Sequence, residues 1–143
     1  MIQHILVAVD GSDASRRAAR FAQELARQTQ ARITLLFVLE TPRMLPLAFL
    51  DSELITPPAR TPEEINAVQR VLDEMAEGLS PPQVTKAVEI GAPADTILAM
   101  ADSVGADHIV VGARGLSRGG KWLLGSVSDR VVHHAQRPVT VVH

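Results

Sequence analysis

Five short apolar runs rich in β-branched residues punctuate the chain, and a stretch long enough to hold a helix separates each from the next. They are Ile5 to Val9 (ILVAV), Ile33 to Val38 (ITLLFV), Val84 to Ile90 (VTKAVEI), His108 to Val111 (HIVV) and Val139 to Val142 (VTVV). A run that is apolar at nearly every position suits a strand buried on both faces. Strands joined by helix-length crossovers lie parallel, and the crossovers are right-handed, so helices cover both faces of one sheet. The pattern predicts a doubly wound α/β domain with a five-stranded parallel sheet. The third run alternates and is the weakest strand signal, which places it at a sheet edge. With 143 residues, 46% of them apolar, the chain suffices for one core, and a single domain over 1–143 is expected.

The segments between the runs carry helix signals. Ser12 or Asp13 can cap a first helix whose apolar stripe is Ala18, Phe21, Ala22 and Leu25. The sequence TPEE at Thr61 to Glu64 combines an N-cap, a proline at the first helical position and a capping-box glutamate, and Ile65, Val68, Leu72, Met75 and Leu79 mark the buried face that follows. A third helix starts near Pro93, turns Ile97, Leu98 and Ala101 inward and stops at a left-handed Gly105. A fourth, capped by Ser126, carries Val127, Val131 and Val132. The stretch at about 41–61 contains four prolines and no sustained period, too long for an ordinary connection, and reads as a flap or a partner surface.

Several function classes are disfavoured. The formal charge of -2 comes from 14 basic and 16 acidic residues mixed along the chain, so no basic stripe awaits a nucleic-acid backbone. The opening MIQHILVAVD has too short an apolar run for a signal or membrane-spanning segment, which implies a cytoplasmic protein without membrane insertion. No cysteine is present for a thiolate nucleophile or metal site, and three Phe, one Trp and no Tyr offer little to stack on a flavin. The adjacent His133 and His134 diverge around a helix and do not form a zinc pair.

The richest stretch is GARGLSRGGKWLLGSVSD, from Gly112 to Asp129. Two phosphate-loop patterns overlap in it. Gly115 to Lys121 (GLSRGGK) satisfies the G-x-x-x-x-G-K part of a P-loop, but the next residue, where Ser or Thr would bind magnesium, is Trp122. An indole has no oxygen ligand, and the helix signal begins at Ser126 rather than at the lysine, so the P-loop reading fails. The wider pattern G-x2-G-x9-G-S uses Gly112, Gly115, Gly125 and Ser126. It follows a strand and opens a helix: the first two glycines let the backbone turn and approach a ligand, and the helix start points free N–H groups at it. Ser126 can donate its hydroxyl to a phosphate, while Val127 and Ser128 offer backbone N–H groups.

VAVDGS at the first strand end, GAPADTIL, GARGLSRGGKWLLGSVSDRV and HHAQRPVTVV together resemble the universal stress protein family, over nearly the whole chain apart from the proline-rich segment. The resemblance implies a five-stranded parallel sheet ordered 3-2-1-4-5 and, through the G-x2-G-x9-G-S loop, membership of the subgroup that binds ATP. In that order strands 1 and 4 part in opposite directions, and ligands bind at such a switch point. The resemblance further implies that Asp10 accepts hydrogen bonds from the ribose hydroxyls, that Val38 meets adenine through its backbone, and that Ala8 and Val111 line the pocket. Arg118 and Lys121 are added here as candidates to neutralise phosphate charge, with Mg2+ riding on the phosphates. No placed general base, arginine finger or magnesium carboxylate pair is evident, which points to a nucleotide-dependent regulatory module rather than a committed enzyme. The alternative is an interaction module that regulates a transporter or enzyme without nucleotide. The strongly β-forming Val139 to Val142 edge invites pairing, and a homodimer through it is the family's arrangement.

Overall fold

The central strand sets the architecture. In a computed structural model that describes residues 1–41, 59–79, 83–113 and 124–143, β1 (His4–Val9) has Ile5, Leu6 and Val7 wholly removed from solvent, so both of its faces are covered. The remaining elements follow as α1 (Asp13–Thr29), β2 (Arg32–Glu40), α2 (Pro62–Met75), β3 (Val84–Gly91), α3 (Pro93–Ser103), β4 (His108–Gly112), α4 (Ser126–His134) and β5 (Val139–Val142). All pairings are parallel and the strand order is β3-β2-β1-β4-β5. Five parallel strands in the order 3-2-1-4-5, with helices on both faces, are therefore as expected, as is the edge position of β3.

Period-two alternation divides the interior into two layers. Ile5, Val7, Ile33, Leu35 and Val110 pack under α1 and α2, against residues such as Ala22 and Leu72. Leu6, Leu36, Ile109 and Val111 pack under α3 and α4, against residues such as Ile97 and Val131.

The helix faces differ in part from the expected ones. On α1 the buried apolar residues are all alanines, Ala14, Ala18, Ala19, Ala22 and Ala26, whereas Phe21 is 42% exposed. Phe21 stands about 100° around the helix from the middle of that stripe, and a face of alanines with Ser15 lets α1 approach the strands closely. Leu25 is only partly buried at its margin. On α2, Val68, Leu72 and Met75 are buried but Ile65 is 48% exposed, because the helix packs through its later turns. Val132 on α4 is likewise exposed, while its neighbour Val131 is buried.

The helix termini follow local chemistry. Ser12 caps α1, accepting from the Ser15 N–H. The Thr61 and Glu64 capping box forms in both directions, at 3.2 and 2.9 Å. Gly105 takes a left-handed φ of 63° just beyond α3, as its position predicts. On α4 the cap is Gly125 and Ser126 is the first helical residue, one position inside the expected boundary; glycine supplies no side-chain cap bond.

Two histidines brace neighbouring strands. His4 is buried, with Nε2 2.8 Å from Thr34 Oγ1 on β2 and Nδ1 3.1 Å from the Val104 carbonyl. His108 Nε2 lies 2.8 Å from Thr140 Oγ1 on β5. Burial pushes both imidazoles below their ordinary value of 6.5.

Candidate functional site

The carboxyl ends of β1 and β4 part where their connections leave in opposite directions, and a cavity of about 370 Å³ opens between them. Ala8, Leu36 and Val38 form an apolar floor on the face that α3 and α4 cover, and Pro93 and Ile97 of α3 bound one side. Asp10 stands at one lip, and Val111 with Gly112 at the other. Gly125, Ser126, Val127 and Ser128 bring the first turn of α4 onto the same space. The cavity thus gathers nine of the residues singled out from sequence. Gly115, Arg118 and Lys121 lie outside the described residues, as does most of the proline-rich stretch, including all four prolines.

The Asp10 lip is a tightly bonded turn. Ser12 N–H donates to Asp10 Oδ1 at 2.9 Å, and Asp10 N–H donates to Ser15 Oγ at 3.3 Å. The Ser15 hydroxyl in turn donates to the Ser12 carbonyl at 2.9 Å. Gly11 makes the turn with φ at 84°, a conformation that side chains resist. From outside, Arg16 donates to the Gly11 carbonyl and, through Nε at 2.7 Å, to Glu74 on α2. This hydrogen-bonded ion pair holds the Glu74 carboxyl below its ordinary value and raises Arg16.

The opposite lip adds a packing reason for its first glycine. A Cβ at Gly112 would stand 2.9 Å from both the carbonyl carbon and the Cβ of Ala14, and 3.0 Å from the Ser15 nitrogen. No positive φ is involved. The first turn of α1 rests directly on the end of β4, and that packing by itself favours glycine at 112.

Beyond Gly112 the chain is clamped to its own return. Gly125 N–H donates to the Ala113 carbonyl at 2.6 Å, and the Ser128 hydroxyl donates to the same oxygen at 2.8 Å. Ser128 is buried, so its hydroxyl is structural. Ser126 is exposed, and the N–H groups of the first turn of α4 have no carbonyl within the helix to receive them. An anion facing that turn would gain both hydrogen bonds and the helix dipole.

Among the described lining residues the formal charges are two carboxylates, Asp10 and Glu40. No group of three or more metal-ligating His, Cys, Asp or Glu occurs among the described residues. His133 and His134 each turn Nδ1 back to a carbonyl of their own helix, at 2.8 and 2.9 Å. Also among the described residues, no helix is long and apolar enough to cross a membrane.

Ser12, Ser15, Leu36, Glu40, Pro93 and Ile97 also line the cavity and were not anticipated. Part of this was legible. Leu36 and Val38 alternate onto one face of β2, and Pro93 and Ile97 are one helical turn apart, at spacings that align them. Ser12 read as capping chemistry and Ser15 carried no signal of its own; only the turn's closure brings them to the cleft.

Comparison with known proteins finds relatives in sequence and in shape. A universal stress protein of Methanocaldococcus jannaschii, MJ0531, is 33% identical over 143 residues, covering 99% of this chain and 82% of its own. Among solved structures, the universal stress protein UspA from Lactobacillus plantarum superposes with a TM-score of 0.74 at 26% identity, covering 99% of this chain and 98% of that one. A universal stress protein solved in complex with cAMP gives 0.70 at 28% identity, covering 99% and 97%. The model of the universal stress protein family matches residues 1–143, and the chain belongs to that family.

Proposed function

We propose that this protein binds an adenine nucleotide, ATP in the first instance, in the cleft between β1 and β4, and acts as a nucleotide-dependent stress-response or regulatory module. The observation that carries this reading is the meeting of Ala8, Asp10, Val38, Val111 and the Gly125–Ser128 turn around one cavity. Its parts suit the parts of a nucleotide. The apolar floor suits a base, Asp10 suits hydroxyl donors, and the open first turn of α4 suits phosphate. The cAMP-bound relative supports an adenine-containing ligand. Magnesium would be carried by the phosphates.

The test is to denature the purified protein and analyse the released small molecules, then to titrate the apo protein with ATP in magnesium buffer by calorimetry. Micromolar affinity is expected; absence of binding overturns the reading. Gly115→Leu should abolish that affinity with unfolding unchanged, and retained affinity would remove the glycine loop from the site. The second reading is an interaction module that holds no nucleotide, favoured by Val88 and Ile90 exposed on the edge strand β3. It gains if no nucleotide is released and none binds.

The proposal extends to assembly as a homodimer through β5. Pro138 and Val142 accept through their carbonyls from Ile109 and Ala113 of the β4 side. By alternation, the N–H and C=O groups of Val139 and Val141 face the open edge and are available to a second copy.

A further inference from the structure

Between the two lips of the cleft lies the first turn of α1, and it touches both. On one side its Ser15 nitrogen would be 3.0 Å from a Cβ at Gly112. On the other, Ser15 Oγ accepts from the Asp10 N–H at 3.3 Å while donating to the Ser12 carbonyl at 2.9 Å. The peptide that carries that carbonyl is adjacent to the Ser12 N–H, which donates to Asp10 Oδ1 at 2.9 Å. One hydroxyl thus holds the backbone of Asp10 and the residue that fixes its carboxylate. Ser15 is 3% exposed, so water does not take over these bonds readily.

A carboxylate with one oxygen fixed by a backbone N–H keeps acceptor capacity for a pair of vicinal hydroxyls, provided its plane is held. We propose that Ser15 is a positioning residue for recognition of the ligand's ribose hydroxyls: it sets the orientation of Asp10 relative to the Gly112 lip. This inference rests on the nucleotide reading above.

The experiment compares affinities for ATP and for 2′,3′-dideoxy-ATP, which keeps base and phosphates but lacks both hydroxyls, in the full chain and in Ser15→Ala. The native protein should prefer ATP. In Ser15→Ala the affinity for ATP should fall about 3- to 10-fold, while that for the dideoxy nucleotide stays within about twofold. Should Ser15→Ala fail to fold, Ser15→Cys, of similar size but weaker hydrogen bonding, carries the same comparison with a smaller loss. Equal losses for both nucleotides would make Ser15 merely structural and overturn the proposal, and so would no loss for either. A native protein that binds both equally also overturns it while leaving the cleft reading intact. A native protein that binds neither overturns both.

Discussion

Gly112→Ala would press its new Cβ against backbone and side-chain carbon of Ala14 at 2.9 Å, and neither is the free end of a flexible chain. Either α1 or β4 must shift, so the substitution should cost about 1–3 kcal/mol of stability, read from the urea midpoint without any nucleotide present. His4 and His108 give a second residue-scale outcome. Burial lowers both folded-state values below 6.5, so the unfolded chain takes up protons more readily. Stability is therefore full above about pH 6.5 and falls as pH drops through the lowered values. Urea midpoints should decline between about pH 7.5 and pH 5.5, and His4→Gln with His108→Gln should flatten that contribution. Neither histidine was legible as a brace. His4 and Thr34, or His108 and Thr140, become partners only through pairing of strands distant in sequence.

At the scale of elements, the four helices among the described residues divide by their caps. α1 and α2 are capped by the side chains of Ser12 and Thr61, whereas α3 and α4 have no side-chain cap bond. Thr61→Ala should cost about 1 kcal/mol, measured by urea unfolding, since it removes half of a reciprocal pair at an exposed helix start. Element existence was readable throughout because each strand and helix carries its own period and its own terminators. Faces were less so. Phe21 looks like a core residue by hydrophobicity, yet α1 turns a face of alanines and Ser15 inward, and its first turn lies hard against the end of β4. The one-residue slip at Ser126 has a similar origin, since either residue of a Gly-Ser pair can cap a helix.

For the whole molecule, the prediction is assembly. Gel filtration with light scattering at micromolar concentration should give a dimer, and Val141→Pro, which removes an edge-facing N–H but spares the ladder to β4, should give a monomer. A native monomer would set aside the β5 interface. Strand order and the switch-point cleft follow from the family likeness, because periodicity alone does not order strands in a sheet. Asp10 and the Gly125–Ser128 turn were legible as short motifs beside strand ends. The closure by Ser15 was not, and the alignment of Pro93 and Ile97 along α3 did not say what they face, since both depend on how α1 and α3 settle against the sheet.

The contact between Gly112 and Ala14 also changes what can be inferred about relatives from sequence. A position that packing already reserves for glycine can be retained by a descendant that has given up its ligand as well as by one that keeps it. In a chain built like this one, the presence of the first glycine of the G-x2-G-x9-G-S pattern is therefore not by itself evidence of binding. Loss of the ligand would have to be read from later positions of the pattern.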